Sequence, residues 1–177
     1  MRKKSRLREL LEALIAACCL VFLAKVFLFF PTKVEGASMV PTLHEGDKII
    51  VSKVVTYIHH LNRGDVVVMK TDDYYVKRII GLSGDTLKVE NDHLYINGKL
   101  QEESYLEKNQ KAARRLMMKL TEDFGPITVP DNKVFVMGDN RAVSRDSRNG
   151  LGFIDKKNIL GTVKAVYYPW KRIKLTN

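Results

Sequence analysis

Residues 65–98 read DVVVMKTDDYYVKRIIGLSGDTLKVENDHLYING, and this stretch decides the fold class. It holds runs of β-formers at Asp65–Met69, Tyr74–Ile80, Thr86–Glu90 and His93–Ile96, broken by Ser83-Gly84-Asp85, Asn91-Asp92 and Asn97-Gly98. Asn91-Asp92 and Asn97-Gly98 bracket Leu94-Tyr95-Ile96. Residues that tolerate positive φ at both ends of so short a run predict tight hairpins. Farther out, similar runs occur at Lys48–Val55, Lys133–Met137 and Gly161–Tyr168, with breaks at Glu45-Gly46-Asp47 and Asn62-Arg63-Gly64-Asp65. The exception is Glu102–Leu120. There Tyr105, Leu106, Ala112, Ala113, Leu116, Met117 and Leu120 recur at helical spacing, with Lys108, Lys111, Arg114, Arg115 and Lys119 between them. This segment reads as a helix whose cationic side is either a solvated face or a membrane-surface or partner face. The expectation is a mainly β body over residues 31–177, made of coiled sheets with a short helical insertion.

The N-terminal side of the chain is of another kind. Arg2, Lys3, Lys4, Arg6 and Arg8 precede an 18-residue apolar run, ALIAACCLVFLAKVFLFF at residues 13–30, closed by Pro31. A membrane span needs about 17–25 such residues. Its one charge, Lys25, lies about 7.5 Å from Phe30 along a helix, within reach of the interface. The basic residues before the run predict a cytoplasmic tail at 1–12, a transmembrane anchor at 13–30 and an extracytoplasmic body at 31–177. A cleaved secretory signal ending near Val34-Glu35-Gly36, a lipoprotein-type site at Cys18 and a buried core helix are the rival readings. The run is long for a signal and Glu12 interrupts a lipoprotein segment. A core helix would show a polar face, which this run lacks.

Composition narrows the function. The 177 residues are 45% hydrophobic and 28% charged, which suits a packed domain rather than disorder. The only two cysteines, Cys18 and Cys19, fall in the apolar run, so disulfide scaffolds and Cys–His catalysis in the body are excluded. Of the +10 net charge, the first twelve residues carry five basic and two acidic groups, which leaves +7 on the rest. A basic body beside an anchor suits the anionic head groups of a lipid bilayer. An exported body does not meet nucleic acid, and no interleaved basic and aromatic signature for it is present.

Three segments carry chemistry. In Gly36-Ala37-Ser38-Met39-Val40-Pro41-Thr42-Leu43, two small residues leave room beside Ser38 and Pro41 stiffens the chain beyond it. A nucleophile needs both access and a fixed position; a serine in an ordinary turn is the plain alternative. In Tyr74-Tyr75-Val76-Lys77-Arg78-Ile79-Ile80-Gly81, adjacent cations sit among apolar neighbours. Alternation puts Lys77 and Arg78 on opposite faces of a strand. A lysine on a dry face loses its proton more readily and becomes a base, whereas arginine stays protonated. Snorkelling basic side chains on a surface strand are the alternative. A lysine working near neutral pH must fall about two units below its free pKa of about 10.4, a difference of about 2.7 kcal/mol at about 1.36 kcal/mol per unit. The dense polar block from Gly138 to Gly150, with Arg141, Arg145, Arg148, Asp139, Asp146, Ser144 and Ser147, suits a loop held by its own hydrogen bonds. Either of its serines could contact a catalytic amine.

Together these motifs resemble the bacterial type I signal peptidases, in their Gram-positive form, over nearly the whole chain. Ser38-Met39-Val40-Pro41-Thr42-Leu43, Arg63-Gly64-Asp65-Val66-Val67-Val68, Tyr75–Asp85, and Gly138-Asp139-Asn140-Arg141 with Ser144-Arg145-Asp146-Ser147-Arg148 follow in the family's order. The resemblance implies a mostly antiparallel β fold and a Ser/Lys dyad, with Ser38 as nucleophile and Lys77 as general base. It implies that Ser144 hydrogen-bonds and orients Lys77, and that Asp146 and Arg148 form ion pairs holding their loop against the Lys77–Arg78 strand. It assigns the Ser38 backbone N–H to the oxyanion, and Val34, Met39, Leu43, Tyr75 and Val76 to small pockets that accept Ala-X-Ala. The implied partners are secreted preproteins, and neither metal nor cofactor is needed. Three positions depart from the family pattern: Ser83 for a usual proline, Ala142-Val143 for a frequent Asp-Asn pair, and Gly36 where some members carry a hydroxyl. Two other functions compete. A serine–histidine triad would use His44, His59, His60 or His93. An inert signal-peptidase-like chaperone or assembly factor would typically have lost the serine or the lysine.

Overall fold

Tyr74–Leu82 is the longest strand of the central hairpin, and its β-branched and aromatic residues suit a pleated, buried surface. The computed structural model describes residues 6–58 and 60–176; residues 1–5 of the expected basic tail, and His59, lie outside the described residues. Helix α1 (Arg6–Leu28) is followed by strands β1 (Phe29–Lys33) and β2 (Lys48–Ser52), the short helix α2 (Val54–Ile58), and strands β3 (Val66–Lys70) and β4 (Tyr74–Leu82). Next come β5 (Thr86–Glu90), β6 (His93–Ile96), β7 (Lys99–Gln101) and helix α3 (Glu107–Arg115). The chain closes with β8 (Phe124–Thr128), β9 (Lys133–Met137), β10 (Ile154–Asp155), β11 (Ile159–Tyr168) and β12 (Lys174–Leu175).

The strands form two antiparallel sheets. One has the order β1-β2-β11-β3-β4-β9-β10, with β12 added on β11, and the other runs β7-β6-β5-β8. The expected mainly β class, with coiled antiparallel sheets and a short helical insertion, is what the chain adopts. Asn91 and Asp92 turn β5 into β6, and Asn97 and Gly98 turn β6 into β7, all four at positive φ. That geometry matches the right-handed twist of paired strands. Breaks in register between Ile79 and Gly81, and between Val163 and Ala165, bend the large sheet.

Element boundaries differ from expectation where pairing overrides local pattern. Phe29 and Phe30 belong to β1, not to the apolar helix, because β1 pairs residue by residue with β2, Phe30 opposite Val51. The helix therefore ends at Leu28, whose carbonyl accepts from Lys53 N at 2.7 Å. Pro31 lies inside β1 on the outer edge of the sheet, where a missing N–H costs nothing. Within α1, Arg8–Leu28 is long and apolar enough to cross a membrane, and none of it is buried against the body. The expected helix at Glu102–Leu120 is a 3₁₀ turn at Ser104–Leu106 running into α3, and it stops at Arg115. Leu106 alone of its apolar residues is fully buried, whereas Leu116 and Met117 are exposed.

Three apolar clusters fill the body. One joins Val34, Met39, Leu43, Ile49, Val51, Val66, Val68, Val163 and Val166 beneath the segment that follows β1. A second lies under β3, β4 and β9, and a third fills the space between the two sheets around Phe135 and Leu87.

Candidate active site

Ser38 sits in a turn after β1 whose ends are tied down. Val34 N donates to Asp47 O at 2.8 Å, and Gly46 N donates to Val34 O at 2.9 Å. Leu43 N donates to Met39 O at 2.9 Å, closing the turn, and both side chains are sunk in the first cluster. The apolar residues thus anchor the underside of the turn, and Ser38, half-buried, stays on the side facing a groove. Gly36, at φ +76°, takes the chain out of β1 in a conformation that most side chains resist.

Lys77 comes from β4. Both faces of this strand are dry at the middle, so Lys77 and Arg78 are each only 3% exposed. Lys77 Nζ donates to Ser38 Oγ at 2.6 Å. Burial lowers the Lys77 pKa from 10.5 to about 8, against the opposing pull of Asp146 and Asp139. Near that pH about half of the amine is neutral, and the hydroxyl then donates to the nitrogen lone pair. The ring of Tyr75 lies 5.6 Å from Nζ.

Arg78 does a different job on the opposite face. Its Nε and Nη2 donate to the two carboxylate oxygens of Asp139 at 2.9 and 2.7 Å, and Nη1 donates to Gly64 O at 2.7 Å. Thr42 Oγ1 donates to the same carboxylate. Asp139 therefore joins the Lys77–Arg78 strand to the Ser38 turn, a role the sequence reading did not give it. Asn140 N donates to Ser38 O at 2.9 Å, a second tie between the two loops. Gly138 is required beside them, since a Cβ there would collide with Ser38 O and Ser144 Oγ.

Other expected contacts are rearranged. Asp146 and Arg148 pair with each other at 2.9 Å, and Arg148 Nη2 also donates to Arg141 O at 2.8 Å. Their ion pair is internal to the loop, and the one that crosses to the strand is Arg78–Asp139. Burial works to raise the Asp146 carboxyl, but Arg148 and the Gly138 N–H outweigh it and hold it below the usual range. Ser144 Oγ is buried, and the expected bond to Lys77 is not formed here. Its hydroxyl is wedged against the Gly138 backbone.

The groove holding Ser38 and Lys77 has a volume of about 750 Å³. Tyr75 and Val76 line it, with Phe30, Val68 and Leu160. Val34, Met39 and Leu43 do not line it: they are packed in the cluster below. Phe30, Val76 and Leu160 touch that cluster from the groove side, so the buried residues form a floor beneath its apolar wall. His44, His60 and His93 are not among the lining residues. Among the described residues no group of three or more His, Cys, Asp or Glu side chains is placed to hold a metal ion.

A mainly β body carries a hydroxyl and a buried amine in one groove, behind an apolar helix, an arrangement that suits a peptidase of the serine class. Residues 7–170 match the family of signal peptidases, peptidase S26. The chain is 51% identical to signal peptidase I of Bacillus licheniformis over 99% of its own length and 96% of the relative's. It is equally similar, with the same coverage, to signal peptidase I S of Bacillus subtilis (strain 168). A crystal structure of a signal peptidase I from Enterococcus faecalis V583 superposes with a TM-score of 0.54 at 32% identity, covering 58% of this chain and 96% of that one. The chain belongs to the signal peptidase I family and is a hydrolase of that family.

Proposed function

We propose that this protein is a membrane-bound serine endopeptidase that removes N-terminal signal peptides from exported preproteins after an Ala-X-Ala-type site. The observation that carries the reading is the 2.6 Å bond between Ser38 Oγ and the buried Lys77 Nζ. Neutral Lys77 takes the Ser38 proton as Oγ adds to the scissile carbonyl carbon, whose π electrons move onto oxygen. The Ser38 backbone N–H donates to that oxyanion, a charge that a fixed dipole stabilises well in a partly dry groove. As the C–N bond breaks, Lys77 returns its proton to the leaving amine, which leaves an acyl-Ser38 ester. Lys77 then takes a proton from water as the oxygen attacks the ester, and Ser38 regains its proton on release of the acid. Ser144 Oγ, buried in the neighbouring loop, is the acceptor for the ammonium while Lys77 holds the proton. Asp146 and Arg148 keep the Ser144 loop in place. No step needs a metal or a cofactor.

The groove's apolar wall, with Val76 and Leu160 over a tightly packed floor, suits small side chains such as alanine. One side of the groove is β1, which starts directly after α1. A substrate segment leaving the bilayer beside the anchor therefore meets Ser38 without crossing the body. The five basic residues before the span favour a cytoplasmic tail and an exported body. The test is cleavage of an Ala-X-Ala preprotein by detergent-solubilised protein. Ser38→Ala is expected to lower turnover at least about 10⁴-fold, as removal of a nucleophile does, with unchanged thermal unfolding. Substantial cleavage by that variant would assign the nucleophile elsewhere.

A further inference from the structure

Helix α3 lies beside the catalytic turn with an apolar anchor only at its start, where the capping residue Leu106 is buried. None of its own residues is fully buried, so beyond Leu106 packing contributes little to its placement. Its contacts with the catalytic loops are polar. Both N–H groups of the Asn109 amide are used: Nδ2 donates to Val40 O at 2.9 Å and to Asp139 O at 2.8 Å. Val40 is two residues beyond Ser38, in the same turn. Asp139 holds Arg78, next to Lys77, and precedes Asn140, which donates to Ser38 O. One side-chain amide therefore spans the Ser38 turn and the loop whose Asp139 fastens Arg78, the strand neighbour of Lys77.

The segment leading into α3 is built to hold that amide still. Glu103, its side chain 6% exposed, forms an ion pair with the fully buried Arg141 guanidinium and accepts from Tyr105 OH at 2.5 Å. The Tyr105 ring lies against the Arg78 guanidinium, 4.0 Å from its centroid. Arg141 Nη1 also donates to Thr121 Oγ1 at 3.1 Å, securing the far end of the insertion. We propose that Asn109 is a positioning residue for the Ser38 turn, with the segment 103–109 as its support. The inference rests on the Ser38–Lys77 reading. Its lever is geometry: a displacement of about 1 Å at a reacting group costs about 10²-fold in rate.

Asn109→Ala removes both donors, and Asn109→Asp keeps the size but turns a carboxylate toward two carbonyl oxygens. Steady-state cleavage of an Ala-X-Ala preprotein should give kcat in the order wild type, Ala, Asp. The alanine variant should fall about 10-fold or more, within the about 10²-fold range of such misplacements, with KM within about twofold. Rates are normalised to the folded fraction measured by thermal unfolding, so that lost stability is not counted as lost chemistry. Wild-type kcat in Asn109→Ala, an aspartate variant at least as active as the alanine one, or a loss carried by KM alone would overturn the inference. Ser38→Ala assayed beside them separates the two ideas. A dead Ser38→Ala with an unaffected Asn109 series rejects the clamp alone, whereas an active Ser38→Ala rejects the dyad.

Discussion

At Lys77 the same burial that makes a base also costs stability. The side chain is 3% exposed and its pKa falls from 10.5 to about 8 through desolvation. Cleavage should rise with pH through an apparent pKa near 8, and Lys77→Arg should be inactive although it keeps the charge, because guanidinium does not give up its proton. The stability sign follows from proton counting. Between the folded and unfolded pKa values the unfolded chain binds more protons, so stability rises with pH across that window. Below it the full cost, about 3 kcal/mol at about 1.36 kcal/mol per unit, is present. Lys77→Met should thus be folded, inactive, and more stable than wild type near pH 7, with the advantage shrinking toward pH 10. Unfolding of both proteins at three pH values measures this, and a pH-independent difference would assign the shift to another cause. Ser38 and Lys77 were legible in the sequence because their neighbours within a few residues make the motif. Asp139 stood out as part of a motif but its partner did not, and Asn109 did not stand out at all, since their partners lie 61 and 69 residues away and only folding brings them together.

Strand β4 shows how one element serves two purposes. Alternation aims Lys77 at Ser38 and Arg78 at Asp139, so the strand presents a base on one face and is fastened by the other. The two ion pairs near the groove differ sharply in expected worth. Arg78–Asp139 has side chains 4% and 0% exposed, whereas Arg145–Asp72 has 55% and 56%. Breaking a buried pair costs about 3–5 kcal/mol, because the partner is left charged and dry. An exposed pair contributes about 0–1 kcal/mol. Arg78→Ala should therefore lower the denaturant midpoint far more than Arg145→Ala, and comparable losses would contradict the burial argument. The strands that alternate or run apolar, β2 to β6, β9 and most of β11, were readable from composition, although the run expected over Lys48–Val55 stops at Ser52 and gives way to α2. The very short β10 and β12 were not, and neither was β8, whose Phe-Gly-Pro-Ile-Thr has a glycine and a proline where strands disfavour them. β1 was hidden because its two phenylalanines extend an apolar run that only pairing with β2 divides.

For the whole molecule, the junction between α1 and β1 matters most. No linker separates them: the helix ends at Leu28 and the strand starts at Phe29. The sheet is thus fastened to the apolar helix, and Ser38 follows ten residues after Leu28, at most about 35 Å of extended chain. The strand order, with β11 inserted between β2 and β3, could not be read in advance because each of those pairings joins segments about a hundred residues apart. Orientation across the membrane is a separate question, decided by charge. The body's own charge, +6 once Lys25 of the apolar run is set aside, does not oppose export, since the basic bias is counted over short flanks and not over large folded segments. Cys18 and Cys19 are the only thiols and both lie in the helix, so their removal to alanine gives a clean background for labelling. In that background Met117→Cys, at a site 96% exposed on the body, should react with an impermeant maleimide on intact cells. Lys3→Cys should react only after the membrane is permeabilised. The reverse pattern would put Ser38 and Lys77 on the cytoplasmic side, where a preprotein's cleavage site does not emerge, and would remove this protein from export processing whatever its dyad can do in detergent.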